Sequence, residues 1–374
     1  MKLISTYQHI DKREILDCRV KSIKELIRHY NVHLNSYEIL LISKAITFNY
    51  DRICIPGVIN HPIPYGTVSH NTIEKTFFDS LCISYKEEKI ESTEEGWKKI
   101  KSMIDRDIPV MFRMDSRFLM PGANGAERDK KINLHYLSTL LLVGYDEEEN
   151  KAFIVLTNTD EKEEVSVISI DAFQKYRSTT CFPFAPDSLC YYVTKEDRKM
   201  NLDETLIQRK VLQGLKETIY TMLNEDSTSM ISYDGFVGTG MIKGIKGMEK
   251  LKDDLKQIVE CYDAQDRMSC QYTQFSMAFL RNNMMFGSYS GFRYELSQCL
   301  QYCAEHFQIG ELNRISNEFK SISNEWKKLF MVLSSIAHNK GNRKEQLNNV
   351  IKILERIIKK EEQQYMKINQ CLYG

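Results

Sequence analysis

The chain has 374 residues, and its 51 lysines and arginines balance 51 aspartates and glutamates, so it carries no net charge. That balance gives no reason to expect nucleic acid or an anionic membrane as the main partner. The N-terminal MKLISTYQHIDKRE has no long apolar run, and no stretch matches a membrane span, so a soluble cytoplasmic protein is expected. Ten cysteines are scattered over the chain without a CxxC pair, a usage that suits reduced thiols.

In chain order, the first informative stretch is DCRVKSIKELI (17–27). Val20, Ile23, Ile27 and Tyr30 recur at helical spacing, and Asp17 is placed to cap the helix. Cys18 then sits in the first turn, where free amides and the helix dipole favour a thiolate. The plain alternative is a small buried residue. A second helix is expected over YEILLISKAI, and 47–66, which holds Pro56, Gly57, Pro62, Pro64 and Gly66, reads as an irregular, turn-rich loop. A helix follows through IEKTFFDSL. Ser92 and Glu95 form a capping-box pattern ahead of GWKKIKSMI. Residues 107–114 read as a strand, and 115–131 as a long polar loop.

INLHYLSTLLLV (132–143) and AFIVL (152–156) then read as a β-hairpin around GYDEEENK. A turn centred between Asp146 and Glu147 sets His135 opposite Asn158. A centre one residue later sets it opposite Asp160. Either residue could orient an imidazole and fix its tautomer, although a half-buried strand histidine with no chemistry has the same pattern. A short helix, IDAFQKYR, and a strand, LCYYVT, close this half.

KEDRKMNLDE reads as a charged linker, and six helical segments after it suggest a bundle. The expected domains are 1–195 and 196–374. Cys299, Cys303 and His306 share a helix at metal-compatible spacing, but the cysteines also fit its apolar stripe. GFVGTGMIKG and FGSYSGF are glycine-rich turns that either cradle a phosphate or simply reverse the chain.

A cysteine at a helix start, a strand histidine over a hundred residues later, and an Asn or Asp on the next strand follow the Cys–His–Asn/Asp order of papain-like enzymes. DCRVKSIKELIRHYNVHLNSYEILLIS, HYLSTLLLVGYDEEENKAFIVLTNTD and VSVISIDAFQKY resemble the N-terminal domain of the butirosin biosynthesis protein H family, which is related to C39 cysteine peptidases. GIKGMEKLKDDL and GSYSGFRYELSQCL are similar to the helical domain that accompanies it. Two departures stand out: LTNTD puts Asn158 where the family usually has Asp, and SKAITFNYDRICIPG replaces a glycine-rich loop.

The resemblance implies an α+β, papain-like (C39-like) catalytic domain followed by an all-helical bundle. It implies Cys18 as nucleophile, His135 as base and Asn158 as orienter, with Asp160 as rival. The implied activity is acyl transfer, as in butirosin and closthioamide assembly. An acyl chain moves from the phosphopantetheine arm of an acyl or peptidyl carrier protein, through Cys18, to a small-molecule amine, giving an amide in antibiotic or other specialised metabolism. No cofactor of its own and no metal is implied, since the phosphopantetheine arm is substrate. An acidic carrier would meet basic residues, for which Arg106, Arg113, Arg117, Arg128, Lys130 and Lys131 are candidates. The competing readings are a C39-like cysteine peptidase or amide hydrolase, and a non-catalytic carrier-protein-binding module.

Overall fold

The computed structural model describes residues 1–7, 17–55, 59–69, 72–115, 137–155, 165–180, 185–194, 202–224, 227–228, 232–233 and 236–373. The fold is α+β with antiparallel sheets and a helical C-terminal region. It divides into two compact units: Met1–Ile39 with Ile73–Ile207, and Leu40–Thr72 with Gln208–Gly374. Expectation drew a single boundary at 195/196. The chain instead changes unit at 39/40, 72/73 and 207/208, because residues 40–72 pack with the later half.

The first unit holds a seven-stranded sheet. Its strands are β1 (Lys2–Leu3), β4 (Tyr85–Lys89), β5 (Val110–Asp115), β6 (Leu137–Asp146), β7 (Lys151–Val155), β8 (Ser166–Ser169) and β9 (Leu189–Val193). Their order is β4-β9-β5-β6-β7-β8, with β1 paired to β6. Val110, Met111 and Phe112 of β5 and Leu140 to Val143 of β6 are wholly buried. Such continuous apolar runs are expected where both faces of a sheet are covered. On β5, Phe112 meets Phe173 of α5 (Ile170–Arg177) edge-on at 5.1 Å, whereas the next residue, Arg113, approaches Glu74 of α3 (Ile73–Ser80). Adjacent strand residues point to opposite faces, so α3 and α5 cover opposite sides. Helix α1 (Cys18–Arg28) packs on β6, β5 and α3. Helix α4 (Glu94–Asp105) is capped by Thr93, which accepts the Gly96 amide at 3.1 Å, one residue later than the Ser92 capping box expected.

The second unit is not all-helical. The stretch expected to be an irregular loop is an antiparallel pair, β2 (Asn49–Ile55) and β3 (Ile59–Thr67). It joins short strands β10 (Ser227–Thr228), β11 (Ser232–Tyr233), β12 (Phe236–Gly238) and β13 (Met241–Lys243) in a second sheet. Pro62 and Pro64 are compatible with β3 because among the described residues it pairs only with β2, so the missing N–H groups cost no ladder bond on its outer side. There the Pro62 carbonyl accepts the Tyr272 hydroxyl at 2.6 Å.

The six expected helices are all present: α6 (Glu204–Leu223), α7 (Gly244–Cys261), α8 (Arg267–Met284), α9 (Arg293–His306), α10 (Glu311–Ala337) and α11 (Arg343–Tyr373). Helix α2 (Ser36–Ile42) crosses the 39/40 division. Its Leu41 carbonyl would lie 1.9 Å from a Cβ placed on Gly214 of α6, so only glycine permits that approach. At the centre of this unit, Arg293 and Glu361 form a two-bonded ion pair, each bond 2.8 Å, with neither side chain exposed. Trp326 Nε1 donates to the same carboxylate at 2.6 Å.

Candidate active site

Helix α1 begins as its sequence suggests. Asp17 accepts the Arg19 amide at 2.9 Å, and the Arg19 side chain grips both carboxylate oxygens at 3.1 Å. Cys18 lies between them, half-buried, with its thiol against β6. The last described pairing of β6 with β7 is Leu141 opposite Val155. Beyond it, the Thr139 amide donates to Cys18 Sγ at 3.4 Å. Thr139 carries no motif that marks it in the sequence. Its only sequence signal is a hydroxyl residue in a largely apolar strand.

The thiol does not have the low pKa expected of a helix start. Burial, then the Asp17 carboxylate, push it up to about 11; Arg19, the Thr139 amide and Ser138 pull in the other direction without prevailing. A helix terminus contributes about 0.3–1 kcal/mol, less than one pKa unit, which desolvation exceeds. Cys18 is therefore a thiol at neutral pH in the surroundings described, and its use as a nucleophile demands a base.

The residues expected to supply that base and its orienter, His135, Asn158 and Asp160, lie outside the described residues. The hairpin that was to join them is real, but its register differs from both alternatives considered. Asp146 pairs with Lys151 and Tyr145 with Ala152, which centres the turn between Glu148 and Glu149. An irregularity between Leu142 and Gly144 shifts the register again. Sequence offers no means of counting that extra residue.

A ring of charge surrounds the start of α1. Glu74 on α3 is fully buried, and among the described residues neither of its oxygens has a hydrogen-bond partner. Arg113 NH2 stands 4.0 Å from it and donates to the Tyr191 hydroxyl at 3.0 Å. For Arg19, burial works against the charge, but Asp17 and Glu74 outweigh it and hold the guanidinium above its ordinary pKa. Of the basic residues proposed to meet an acidic partner, Arg113 belongs to this cluster and Arg106 bonds the Ser102 carbonyl from the end of α4. Arg117, Arg128, Lys130 and Lys131 lie outside the described residues.

The other sites raised by the sequence resolve differently. Cys299 and Cys303 are buried in α9, where desolvation raises both thiol pKa values, and His306 stacks on Tyr302. Among the described residues no group of three or more His, Cys, Asp or Glu is placed to hold a metal. The turn in GFVGTGMIKG already binds an anion, the chain's own Asp51. Its Oδ1 accepts the Thr239 amide and hydroxyl, each at 3.0 Å, and the Gly240 amide at 3.1 Å. A carboxylate thus occupies the position offered to phosphate. No described helix is long and apolar enough to cross a membrane.

Residues 17–156 match the family model of butirosin biosynthesis protein H, N-terminal, and residues 171–368 match a domain of unknown function (DUF4872). The chain belongs to the butirosin biosynthesis protein H-like family. No curated protein matches it. In this family member the two matches do not coincide with the two units. The N-terminal match includes residues 40–72, which pack with the second unit, and the other begins within α5 of the first.

Proposed function

We propose that this butirosin biosynthesis protein H-like chain is an acyltransferase of antibiotic or related specialised metabolism. It moves an acyl chain from the phosphopantetheine thioester of a carrier protein to an amine through a Cys18 acyl-enzyme. The observation that carries this reading is the Cys18 thiol at the start of α1, held against the Thr139 amide of β6. A helix-start cysteine beside a sheet suits the papain-like arrangement, and the family's naming for a biosynthetic protein agrees with it.

In the first half-reaction His135 takes the Cys18 proton. The sulfur lone pair forms a bond to the thioester carbonyl carbon. The bond to the pantetheine sulfur breaks, and that thiol leaves with the proton from His135. In the second, the amine attacks the acyl-enzyme, gives its proton to His135, and expels the Cys18 sulfur. Asn158 or Asp160 orients the imidazole, and the Cys18 amide at the helix start is the candidate oxyanion donor. Thioester exchange is close to energy-neutral and aminolysis of a thioester is downhill, so no ATP is needed.

Intact-protein mass spectrometry with an acyl-loaded carrier protein tests the reading. The expected result is an acyl adduct on Cys18 that an amine discharges as an amide; absence of the adduct with retention of carrier binding rejects it. That second outcome is the binding-module alternative, which the raised thiol pKa favours. Discharge to water in place of amine identifies a hydrolase.

A further inference from the structure

The second unit contains a cavity that acyl transfer at Cys18 does not use. It is lined from β2, β3, α7 and α8, and its volume is ≈ 170 Å³. A cavity of about 150 Å³ accommodates a benzene ring, so this one takes a single ring or a short branched chain. Pro62, Pro64, Ile258 and Tyr272 give it largely apolar walls. Gln257 and Cys261 also line it and are exposed, so it opens to solvent.

The polar groups of the lining differ in how far they are already engaged. Asp254 accepts the Tyr50 hydroxyl at 2.5 Å on one oxygen and Lys250 Nζ at 2.9 Å on the other. The Tyr272 hydroxyl donates to the Pro62 carbonyl at 2.6 Å. Arg52 is different. Its Nε stands 3.8 Å from Asp254, beyond hydrogen-bond range, and its side chain is 39% exposed. Among the described residues no acceptor bonds its guanidinium. A planar fork of donors is thus left open in the lining of an apolar cavity, and such a fork takes a carboxylate through two parallel bonds. Arg52 and Lys250 outnumber Asp254, so the local charge favours an anion. A ligand amine would instead have to displace Lys250 or Tyr50 from Asp254.

We propose that this cavity is a binding site for a small carboxylate with an aromatic or branched apolar body. The Arg52 guanidinium holds the carboxylate, and the proline, isoleucine and tyrosine walls hold the body. Binding is reversible and forms no covalent bond. Occupancy needs neither Cys18 nor a carrier protein, so this site stands or falls separately from the acyl-transfer reading.

Titration of the whole chain with benzoate, followed by ligand-observed NMR, tests the site, with benzamide and acetate as comparison ligands. Benzoate is expected to bind with a dissociation constant of about 1 mM, as suits a ligand of its size. Benzamide has the same shape without the charge, and acetate has the charge without the body; each is expected to bind at least about tenfold more weakly. Arg52→Gln is expected to weaken benzoate about tenfold and to leave benzamide unchanged. The benzamide comparison in the unaltered protein keeps the test decisive even where that variant folds poorly. Cys261 reports the location. Saturating benzoate is expected to slow its alkylation by iodoacetamide, read by peptide mass spectrometry, while Cys82, exposed in the first unit, keeps its rate. Four results overturn the proposal: no saturable benzoate binding below about 10 mM, benzamide or acetate binding as tightly as benzoate, benzoate binding untouched by Arg52→Gln, or binding that leaves the Cys261 rate unchanged.

Discussion

Two fully buried glutamates mark the difference between the two halves of the molecule. Glu361 in α11 receives both arms of Arg293 and the indole N–H of Trp326. Arg293 in turn donates to the Gly291 and Thr47 carbonyls and lies 5.0 Å from the Trp326 ring centre. Both oxygens of Glu361 and all three guanidinium nitrogens of Arg293 are bonded, and neither side chain is exposed. Glu74 in α3 is as deeply buried, and among the described residues neither of its oxygens has a hydrogen-bond partner; the Arg113 guanidinium stands 4.0 Å away. A buried charge that is fully bonded stabilises the arrangement around it, whereas one left unbonded carries its desolvation cost. The first cluster is a structural anchor. The second lies in the unit that holds Cys18 and retains unspent electrostatic potential beside α1.

The sharpest separation of the two comes from Cys18→Ala. It is expected to reduce amide formation by about 10⁴-fold while leaving the melting temperature almost unchanged, as nucleophile removal does. An unfolded variant would instead make the thiol part of the structural frame. Glu361→Ala is expected to do the reverse. It leaves Arg293 buried and unpaired and costs about 3–5 kcal/mol in denaturant unfolding. A cost below about 1 kcal/mol would remove the distinction.

The pH dependence of Cys18 follows from its raised pKa. With the thiol pushed up to about 11, the reactive form is scarce at neutral pH and increases as pH rises towards that value. Alkylation is therefore expected to run about 100-fold faster at pH 9 than at pH 7, tenfold per unit. A flat, fast profile between pH 5 and 8 would instead reveal an imidazole–thiolate pair, with His135 the first residue to replace. The smallest effect is expected of Glu74→Gln. The amide keeps the shape and loses no hydrogen bond, so stability should change by about 1 kcal/mol or less, well short of Glu361→Gln. Equal losses in the two Gln variants would show that Glu74 is as fully bonded as Glu361.

Much of the element order was legible in the sequence because it rests on local periodicity. The α1 stripe of Val20, Ile23 and Ile27, the Asp17 cap, the β6–β7 hairpin and the six later helices follow from residue spacing and end signals. The β2–β3 pair was missed because Pro62, Pro64 and Gly66 read locally as breakers. They are accommodated because, among the described residues, no strand pairs with the outer side of β3, a fact about its neighbours. The hairpin register was missed because the turn centre falls between Glu148 and Glu149, within a run of acidic residues that does not mark it, and an irregularity near Val143 then shifts the pairings beyond it.

At the site, the sequence by itself determined that Cys18 stands at a capped helix start, since capping and helix initiation depend on a few adjacent residues. Three things were decided by tertiary structure alone. Residues 40–72 pack with the later half of the chain. Burial and Asp17 hold the Cys18 thiol protonated against the helix terminus. The Thr139 amide of β6 reaches the sulfur. Each depends on which surfaces meet across long stretches of chain, and desolvation and cross-element contact are set by that meeting and not by any local pattern.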